Sequence, residues 1–348
     1  MESSLQKRLL QTLQSLDRKE ISMLHVVMLP DFFADHFVSL NTVEKTCHAV
    51  KIVAAQGGGN LPGIAQRITQ GGNAANTALA LARLGISAHL ICRTDPLGGH
   101  LLQHFLGKNG VDLSGVKTDG NLAITTALEF EEHHANIMIG DPGSVATFSF
   151  ELLNDYDREL IASADLVGVT NWNLNRFGTD LACKVFKIAK KHGVRTFFDS
   201  GDPSPRVYDI PELINKVLTN PQLDIFGLNE NELRYYSNSS NKTQEEMISA
   251  AVSLKKKIPA RIDLHTSLFS SSIRNTFIVV PTIPLSIVYR STGAGDVWNA
   301  ANLFAELLGF ADDERLLFAN MFAGYYISSP DVVHLTIDMC INFIKNTL

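Results

Sequence analysis

Hydrophobic and polar positions alternate between two periods along most of the chain. Runs rich in β-branched and aromatic residues predict strands at residues 23–29, 88–93, 165–170, 194–199, 225–228, 260–265, 277–280 and 287–289. Apolar residues at helical spacing between and after them predict helices at residues 99–109, 179–192, 244–257, 297–308, 312–327 and 336–346. This order is typical of a parallel α/β sheet, whose ligands bind at the carboxyl ends of the strands.

The first 20 residues precede this alternating pattern. Leucines recur at helical spacing, at Leu5, Leu9, Leu10, Leu13 and Leu16. They predict a surface helix over residues 1–19 that packs either on the body of the protein or on a partner. We therefore divide the chain into an N-terminal helical extension, residues 1–20, and one domain over residues 21–348.

Two segments have a strand-like character outside the regular alternation. They cover residues 37–55 and 122–150, and the second contains apparent strands at residues 124–130, 136–139 and 145–150. Periodicity alone does not determine which of these strands pair.

A glycine-rich element at residues 291–296 leads directly into a predicted helix. Its sequence is Ser-Thr-Gly-Ala-Gly-Asp, so that small residues leave the backbone amides of Gly293, Ala294 and Gly295 open. Unpaired amides and the positive end of a helix dipole favour an anion such as phosphate. Asp296 fits this site if it removes a proton from the attacking hydroxyl. The alternative is a glycine-rich turn with an ordinary acidic cap.

A second glycine-rich element lies at residues 70–76, again before a helix. The amides of Asn73 and Asn76 can both donate to and accept from hydroxyl groups of a polyol. The alternative is a helix cap with a polar surface turn.

Composition narrows the class of protein and its partners. The chain has 348 residues, of which 45% are hydrophobic and 19% charged, and a formal net charge of −6. These values predict a large folded core and argue against nucleic-acid or anionic-membrane partners. Four widely spaced cysteines give no zinc or redox motif and suit a reducing, cytoplasmic compartment. No apolar run reaches the length of a membrane span.

Taken together, the motifs resemble those of the ribokinase-like carbohydrate kinases of the phosphofructokinase B type. Residues 70–76 resemble the Gly-Gly signature of that family, and residues 292–296 resemble its Thr-Gly-Ala-Gly-Asp signature. Between them, Asn229 and Glu232 match an Asn-x-x-Glu element, and Asp199 matches the end of a central strand. The four motifs occur in the family order, and the resemblance extends over residues 26–348.

The resemblance implies a three-layer α/β/α ribokinase-like fold in which residues 37–55 and 122–150 form a small β-sheet lid. It implies phosphoryl transfer from ATP to a hydroxyl of a sugar, nucleoside or polyol, with a homodimer through the lid as an open alternative. Asp296 is then the base, residues 293–295 form the anion hole, and Asp35, Gly72, Asn73 and Asn76 orient the acceptor. Asn229 and Glu232 would position Mg²⁺ through water, and Thr266, Ser267 and Thr292 would contact the nucleotide.

Three positions depart from the family pattern. The strand ending at His265 is followed by Ser267 and Ser270 where the family has glycines, so hydroxyl groups are expected to replace close backbone contacts. Arg290 replaces a common aspartate beside a monovalent cation, and it either substitutes for that cation or faces solvent. Phe33 stands where some sugar kinases have a polar residue, which favours a partly apolar acceptor pocket.

Two other functions are compatible with the same scaffold. The altered serine segment and Arg290 motivate a non-catalytic sugar or nucleoside sensor, whereas the presence of Asp296, Asn229 and Glu232 favours an enzyme. A kinase that uses ADP as donor is the second alternative. The chain lacks a Walker-type phosphate loop. It also lacks a dinucleotide-binding Gly-x-Gly-x-x-Gly at its first strand, and this second absence argues against a dehydrogenase.

Overall fold

The computed structural model describes residues 2–131, 136–240, 243–329 and 335–347. Residues 132–135 of the predicted lid, together with Met1 and Leu348, lie outside the described residues. The strands are β1 (His25–Leu29), β2 (Phe33–Leu40), β3 (Gln66–Gly71), β4 (Ser87–Leu90), β5 (Cys92–Arg93), β6 (Val116–Lys117), β7 (Ala123–Phe130), β8 (Asn136–Asp141), β9 (Leu166–Val169), β10 (Arg195–Asp199), β11 (Ile225–Asn229), β12 (Arg261–His265), β13 (Phe269–Ile273) and β14 (Phe277–Pro281).

The helices occupy much of the remaining chain. They are α1 (Glu2–Ser15), α2 (Arg18–Ser22), α3 (Val43–Ala55), α4 (Asn73–Arg83), α5 (Pro96–Phe105), α6 (Asp155–Ser163), α7 (Gly178–Lys191), α8 (Ile210–Leu213), α9 (Glu230–Ser237), α10 (Gln244–Lys255), α11 (Ala294–Leu307), α12 (Asp312–Ser328) and α13 (Ile337–Thr347).

Eight strands form the central sheet in the order β14-β13-β12-β11-β10-β9-β1-β4. The six from β4 to β12 are parallel, and β13 and β14 add to one edge in antiparallel directions. The parallel strands end at the same side of the sheet, which is where open α/β sheets bind ligands. The predicted mostly parallel α/β/α architecture is confirmed.

Helices cover both faces of the sheet, so its strands are buried on both sides. In β1, Val26 and Met28 pack into a core with α4, α11 and α12, whereas Val27 and Leu29 pack into a second core with α7 and α10. Successive side chains of a strand point to opposite faces, so one continuous apolar run supplies both cores.

A smaller sheet of four strands in the order β3-β2-β7-β8 stands at the edge of the main body. It contains parts of both predicted lid segments, but two details of the prediction are wrong. Residues 43–55 form helix α3, which begins after Thr42 accepts a hydrogen bond from the Lys45 amide at 3.3 Å. Residues 145–150 form no strand, because the chain makes 3₁₀ turns at Gly143–Thr147 and Phe150–Leu152.

Two further differences concern the far edge of the main sheet. Residues 287–289 form no strand, and the Tyr289 amide donates to the Ile327 carbonyl at 2.8 Å instead. The serine-rich segment Phe269–Ile273, which was not predicted as a strand, forms β13.

The N-terminal extension packs on the body of the protein. Leu9 and Leu13 of α1 are fully buried in the core shared with α12 and α13, and α1 is therefore attached along its apolar face. Arg8 reaches across to pair with Asp313 and Glu314 at the start of α12. The helix ends at Ser15, and α2 follows at Arg18–Ser22.

A buried charge network fixes α11 and α12 against β12. The Asp263 carboxylate accepts hydrogen bonds from Arg261 at 3.0 Å, Asn302 at 2.8 Å and Arg315 at 3.2 Å. Burial raises the pKa of Asp263, but the Arg261 and Arg315 guanidiniums outweigh it and hold the pKa below its usual range. The network ties the strand that ends at His265 to the helix that begins beside Asp296.

Candidate active site

Two adjoining cavities open at the carboxyl ends of the parallel strands. The larger, which we call the acceptor cavity, has a volume of about 780 Å³ and lies between the lid and the main sheet. The smaller, which we call the donor cavity, has a volume of about 510 Å³ and lies between α11, α12 and the turn after β12. Asn229, His265 and Gly295 line both cavities, so these residues mark their junction.

Every residue predicted for the site lines one or both of these cavities. The acceptor cavity is lined by Asp35, Gly72, Asn73, Asn76, Asn229, Glu232, Thr292, Gly293, Gly295 and Asp296. The donor cavity adds Thr266, Ser267 and Ala294. The structure thus brings together side chains that are separated by up to 261 positions in the sequence, from Asp35 to Asp296.

Asp296 lies in the first turn of α11 at the floor of the acceptor cavity. Its Oδ2 atom accepts a hydrogen bond from the Asn76 amide at 2.9 Å, which links α11 to α4. Burial raises the pKa of Asp296 to about 8, with further raising contributions from Asp199, Asp31 and Asp35, whereas the Asn76 hydrogen bond lowers it. A carboxyl group with this pKa can take up a proton near neutral pH.

The start of α11 has the backbone geometry that the sequence predicts for an anion site. Gly293 is the N-cap and adopts a left-handed conformation with φ +80°, and a Cβ there would lie 2.9 Å from the Tyr326 hydroxyl oxygen. The Ala294 amide donates to the Ser291 carbonyl at 3.2 Å, whereas the Gly293 and Gly295 amides have no acceptor within the described part of the chain. The last two amides are the groups available to an anion.

Asp31 and Asp35 have different roles although both follow β1. Asp31 is fully buried and accepts hydrogen bonds from the Asn73 and Ala74 amides, at 2.7 and 3.1 Å, and from the Thr170 and Asn171 side chains, both at 2.9 Å. It therefore caps α4 and joins it to the end of β9.

Asp35 by contrast faces the acceptor cavity. Burial raises its pKa to about 6, a hydrogen bond with Thr125 of the lid lowers it, and the nearby Asp31 charge raises it. The carboxylate lies over Gly71, where a Cβ would overlap it. Asp35 is thus held at the cavity wall with oxygen atoms available to hydroxyl groups.

The acceptor cavity also contains a group of carboxylates at the ends of β10 and β11. Asn229 and Glu232 form a reciprocal cap of α9, in which the Glu232 carboxylate accepts from the Asn229 amide and side chain at 2.9 and 2.8 Å. Burial, followed by the charge of Asp199, raises the pKa of Glu232 well above its usual range. Asp202 lies close enough to contribute in the same direction.

This clustering of carboxylates would be stabilised by a cation. Within the described ranges, no group of three or more His, Cys, Asp or Glu side chains is arranged to ligate a metal directly. The donors present, carboxylate and amide oxygens, are those that Mg²⁺ prefers, and Mg²⁺ commonly retains water ligands. The residues therefore fit an ion that is held through water at Glu232 and Asn229.

The nucleotide-side residues are less available than their sequence suggests. The Thr266 hydroxyl donates to the Phe269 carbonyl at 2.8 Å and accepts from the Leu268 and Phe269 amides, so it stabilises the turn between β12 and β13. Arg290 is half-buried and donates to the Tyr326 carbonyl at 3.2 Å, which places it against α12 and not toward open solvent.

Sequence reasoning missed several residues that line the cavities. On the acceptor side these are Thr125, Asn171, Asn173 and Asp202, and on the donor side they are Trp298, Ile283, Leu285, Ala323, Gly324 and Ile327. Asn171 and Asn173 follow β9, and their position at a strand end was the available signal. The donor-side residues read simply as helix and loop positions, and only packing brings them together.

Comparison with known proteins shows the family of this chain. The family model "pfkB family carbohydrate kinase" matches residues 50–337. The chain belongs to the pfkB family of carbohydrate kinases. The predicted family is confirmed. Separately, within the described ranges no helix is both long and apolar enough to cross a membrane.

Among curated relatives of this pfkB family member, ribokinase from Arabidopsis thaliana is 28% identical over 72% of this chain and 64% of that protein. The 5-dehydro-2-deoxygluconokinase of Geobacillus thermodenitrificans is 25% identical over 74% of this chain and 78% of that protein. The ATP-dependent ribose-1-phosphate kinase of Halopiger xanaduensis is 33% identical over 39% of this chain and 44% of that protein.

Solved structures show the same fold. The structure of Arabidopsis ribokinase with ribose and ATP matches with a TM-score of 0.75 and 21% identity, over 92% of this chain and 98% of that one. A putative ribokinase II from E. coli, in complex with ATP and Mg²⁺, matches with a TM-score of 0.71 and 18% identity, over 93% of this chain and all of that one. The predicted ribokinase-like fold is confirmed.

Proposed function

We propose that this protein transfers the terminal phosphoryl group of ATP to a hydroxyl group of a sugar or sugar-like molecule. The observation that carries the proposal is the position of Asp296. Its buried carboxylate lies at the N-terminus of α11, in the acceptor cavity and beside the residues where that cavity meets the donor cavity. Relatives named as a ribokinase and a deoxygluconokinase, and neighbours solved with ATP, support this assignment.

In the proposed reaction, Asp296 accepts the proton of the acceptor hydroxyl. The hydroxyl oxygen forms a bond to the terminal phosphorus, the bond from that phosphorus to the bridging oxygen breaks, and ADP leaves with the electron pair. The Gly293 and Gly295 amides form the anion hole that stabilises the negative charge on the transferred group. Ala294 between them has only a small side chain, which leaves these amides open. Magnesium held at Asn229 and Glu232, when bound, neutralises phosphate charge.

The sugar-like substrate is oriented by polar side chains on the cavity wall that accept hydrogen bonds from its hydroxyl groups. Asp35 can receive hydrogen bonds from two neighbouring hydroxyls, and Asn73 can both donate and accept. Gly72 has φ +96°, and a Cβ there would lie 2.8 Å from the Asp31 carboxylate, so only glycine fits at this point of the cavity wall. Thr292 and Ser267 are the hydroxyl residues that we assign to the phosphates of the nucleotide.

The test is a donor and acceptor screen with purified protein. ATP and ADP are each supplied with Mg²⁺ against a panel of sugars, nucleosides and inositols, and phosphorylated product is measured by mass spectrometry. Product that forms with ATP and not with ADP as the donor supports the proposal. Product that forms only with ADP identifies an ADP-dependent kinase. Saturable binding of an acceptor without product from either donor supports a sensor.

We also propose that two copies associate through the outer face of the lid. Opposite to the face that carries Asp35, the lid has four exposed isoleucines, each with 42–58% of the residue accessible: Ile68, Ile124, Ile137 and Ile139. An exposed apolar patch on a sheet is typical of an interaction surface. Light scattering should show a dimer that Ile139→Glu converts to a monomer; a wild-type monomer would contradict the proposal.

The location that we propose is the cytoplasm. Cys47, Cys92, Cys183 and Cys340 are all free thiols in the structure, which suits a reducing compartment. Imaging of the tagged full chain tests this.

A further inference from the structure

His265 occupies the junction of the two cavities. It is the last residue of β12 and lines both the acceptor and the donor cavity. Its Nε2 atom lies 3.1 Å from the position that a Cβ of Gly295 would occupy, so the imidazole edge is directed at the start of α11. The ring is held in this orientation by stacking on Trp298, with 4.9 Å between ring centroids and an interplanar angle of 26°.

The other ring nitrogen of His265 is directed into the protein. Nδ1 is shielded from solvent and has no hydrogen-bond partner among the described residues. The same holds for the hydroxyl of Ser270, which is fully buried and directly opposite His265 in the antiparallel pair of β12 and β13. Directly opposed residues in such a pair have Cβ atoms about 4.5–5.5 Å apart.

Two buried polar groups on directly opposed residues are costly when both lack partners, and a hydrogen bond between them, direct or through one water, removes that cost. A reoriented Ser270 hydroxyl, or one water between the two groups, can donate to Nδ1. The Nδ1 lone pair is then occupied, and the ring carries its proton on Nε2, the atom that faces the anion site.

We infer that His265 is a further phosphate-binding residue, whose Nε2–H donates to the phosphoryl group held at the start of α11, and that Ser270 fixes the required tautomer. This inference rests on the proposed function, because it takes the phosphoryl group to lie at the Gly293 and Gly295 amides. Burial lowers the pKa of His265 to about 4, so the ring acts as a neutral donor and adds no charge to the site.

Stacking alone is the competing explanation, and conservative variants separate the two. His265→Phe retains an aromatic ring over Trp298 and removes the N–H group, whereas His265→Gln retains a donor at the Nε2 position and removes the ring. Binding of ATP and of AMP, each with Mg²⁺, is measured by titration calorimetry, and kcat, KM and the melting temperature are measured for the same proteins.

If His265 binds the terminal phosphoryl group, His265→Phe should weaken ATP binding and lower kcat/KM by about 10- to 100-fold, the effect of a lost hydrogen bond to a charged group. AMP binding should stay within about twofold, and His265→Gln should keep most of the ATP affinity. Ser270→Ala should weaken ATP binding in the same sense but less, about threefold, and it serves as a second route if His265→Phe does not fold.

The inference is overturned if His265→Phe binds ATP like the wild type, or if AMP and ATP binding fall equally in His265→Phe. It is also overturned if Ser270→Ala leaves ATP binding unchanged when the phenylalanine variant is unfolded. If the wild-type protein turns over ATP and His265→Phe does so equally well, this inference is wrong and the proposed function still stands. A wild-type protein that neither binds ATP nor forms product would sink the proposed function as well.

Discussion

The acceptor and donor cavities meet at the same residues but differ in the number of carboxylates that line them. The acceptor cavity carries carboxylates from several strand ends, including Asp35, Asp199, Glu232 and Asp296. The donor cavity is walled largely by Ile283, Leu285, Trp298, Ala323 and Ile327.

One polar side chain on the donor side, that of Asn320, is already hydrogen-bonded within the protein. Asn320 accepts from the Trp298 indole at 2.9 Å and donates to the Val280 and Pro281 carbonyls at 3.3 and 3.0 Å. Its amide is therefore committed to holding α12 against α11 and β14.

The contrast shows how one sheet edge can hold two unlike ligands. Hydroxyl groups need oriented acceptors, which carboxylates supply, whereas a nucleotide base can be held by packing and its phosphates by backbone amides. The carboxylates of the acceptor side also repel one another. Burial and this mutual charge raise the pKa values of Asp35, Asp296 and Glu232. The two sides should respond differently to substitution.

The largest effect is expected at the junction. Asp296→Asn replaces the proposed base with a residue of the same size, so kcat should fall by about 10²- to 10⁴-fold, while the Kd for ATP changes little. The matched control is Asp338→Asn, because Asp338 is 82% exposed on α13 and pairs with Arg18. Steady-state kinetics and calorimetry test both variants; turnover of Asp296→Asn within a few-fold of the wild type contradicts the role of base.

The next effect should be confined to the acceptor side. Asp35→Ala removes an oxygen pair that can receive acceptor hydroxyls, and the acceptor KM should rise by about 10- to 100-fold, since hydrogen bonds to charged groups contribute about 1.5–3 kcal/mol. The nucleotide KM should remain within about twofold. A parallel rise in both KM values would mean that the two cavities are not independent.

A smaller effect is expected from a change on the donor side alone. Ala323→Leu adds apolar volume to the wall of the donor cavity, and steric overlap should raise the nucleotide KM by about tenfold. The acceptor KM should stay the same, which is the reverse of the pattern at Asp35. Initial-rate measurements at varied ATP and acceptor decide this, and an unchanged nucleotide KM would place the nucleotide elsewhere.

The smallest effect concerns stability and its dependence on pH. Because burial raises the folded-state pKa of Asp296 to about 8, from 3.8 for an unperturbed aspartate, its ionisation disfavours the folded state. The stabilising contribution present below pH about 4 is lost progressively as pH rises to about 8.

Asp296→Asn has no such titration. Its melting temperature relative to the wild type should increase by several degrees between pH 4 and pH 8 and stay constant above that. Asp338→Asn is measured in parallel as the control. Calorimetric scans across this pH range test the prediction. A melting-temperature difference between Asp296→Asn and the wild type that does not change with pH would show that burial does not raise the pKa of Asp296.

Much of the fold was predictable because local patterns and tertiary packing agree. Parallel strands such as β1 and β9 are mainly apolar runs. Helices such as α7 and α12 begin and end within two residues of their predicted bounds. The predictions failed where β-branched residues misled. Val43, Val50 and Ile52 suggested a strand, yet they lie on exposed helix α3, whose Thr42 cap was the overlooked signal.

The same holds for residues 287–289, where a β-branched and aromatic run has no neighbouring strand to pair with. Strand propensity describes a fit to a half-buried pleated surface. It therefore gives no information when tertiary structure leaves a segment outside a sheet.

The sequence by itself determined which chemical groups the site contains. The glycine-rich elements, Asn229, Glu232 and Asp296 occur in an order that resembles the family's motifs, and this resemblance implied the fold. Local sequence also carries helix caps, such as the reciprocal pair of Asn229 and Glu232.

Tertiary structure alone decided how those groups are divided between roles. Asp31 and Asp35 are four residues apart and chemically identical, yet one is occupied by four donors and the other faces the cavity. Asn76 lines the acceptor cavity, and only the structure shows that its side-chain amide donates to Asp296. The physical reason is that hydrogen-bond partners and burial come from distant segments, and they set both the availability of each polar group and its pKa.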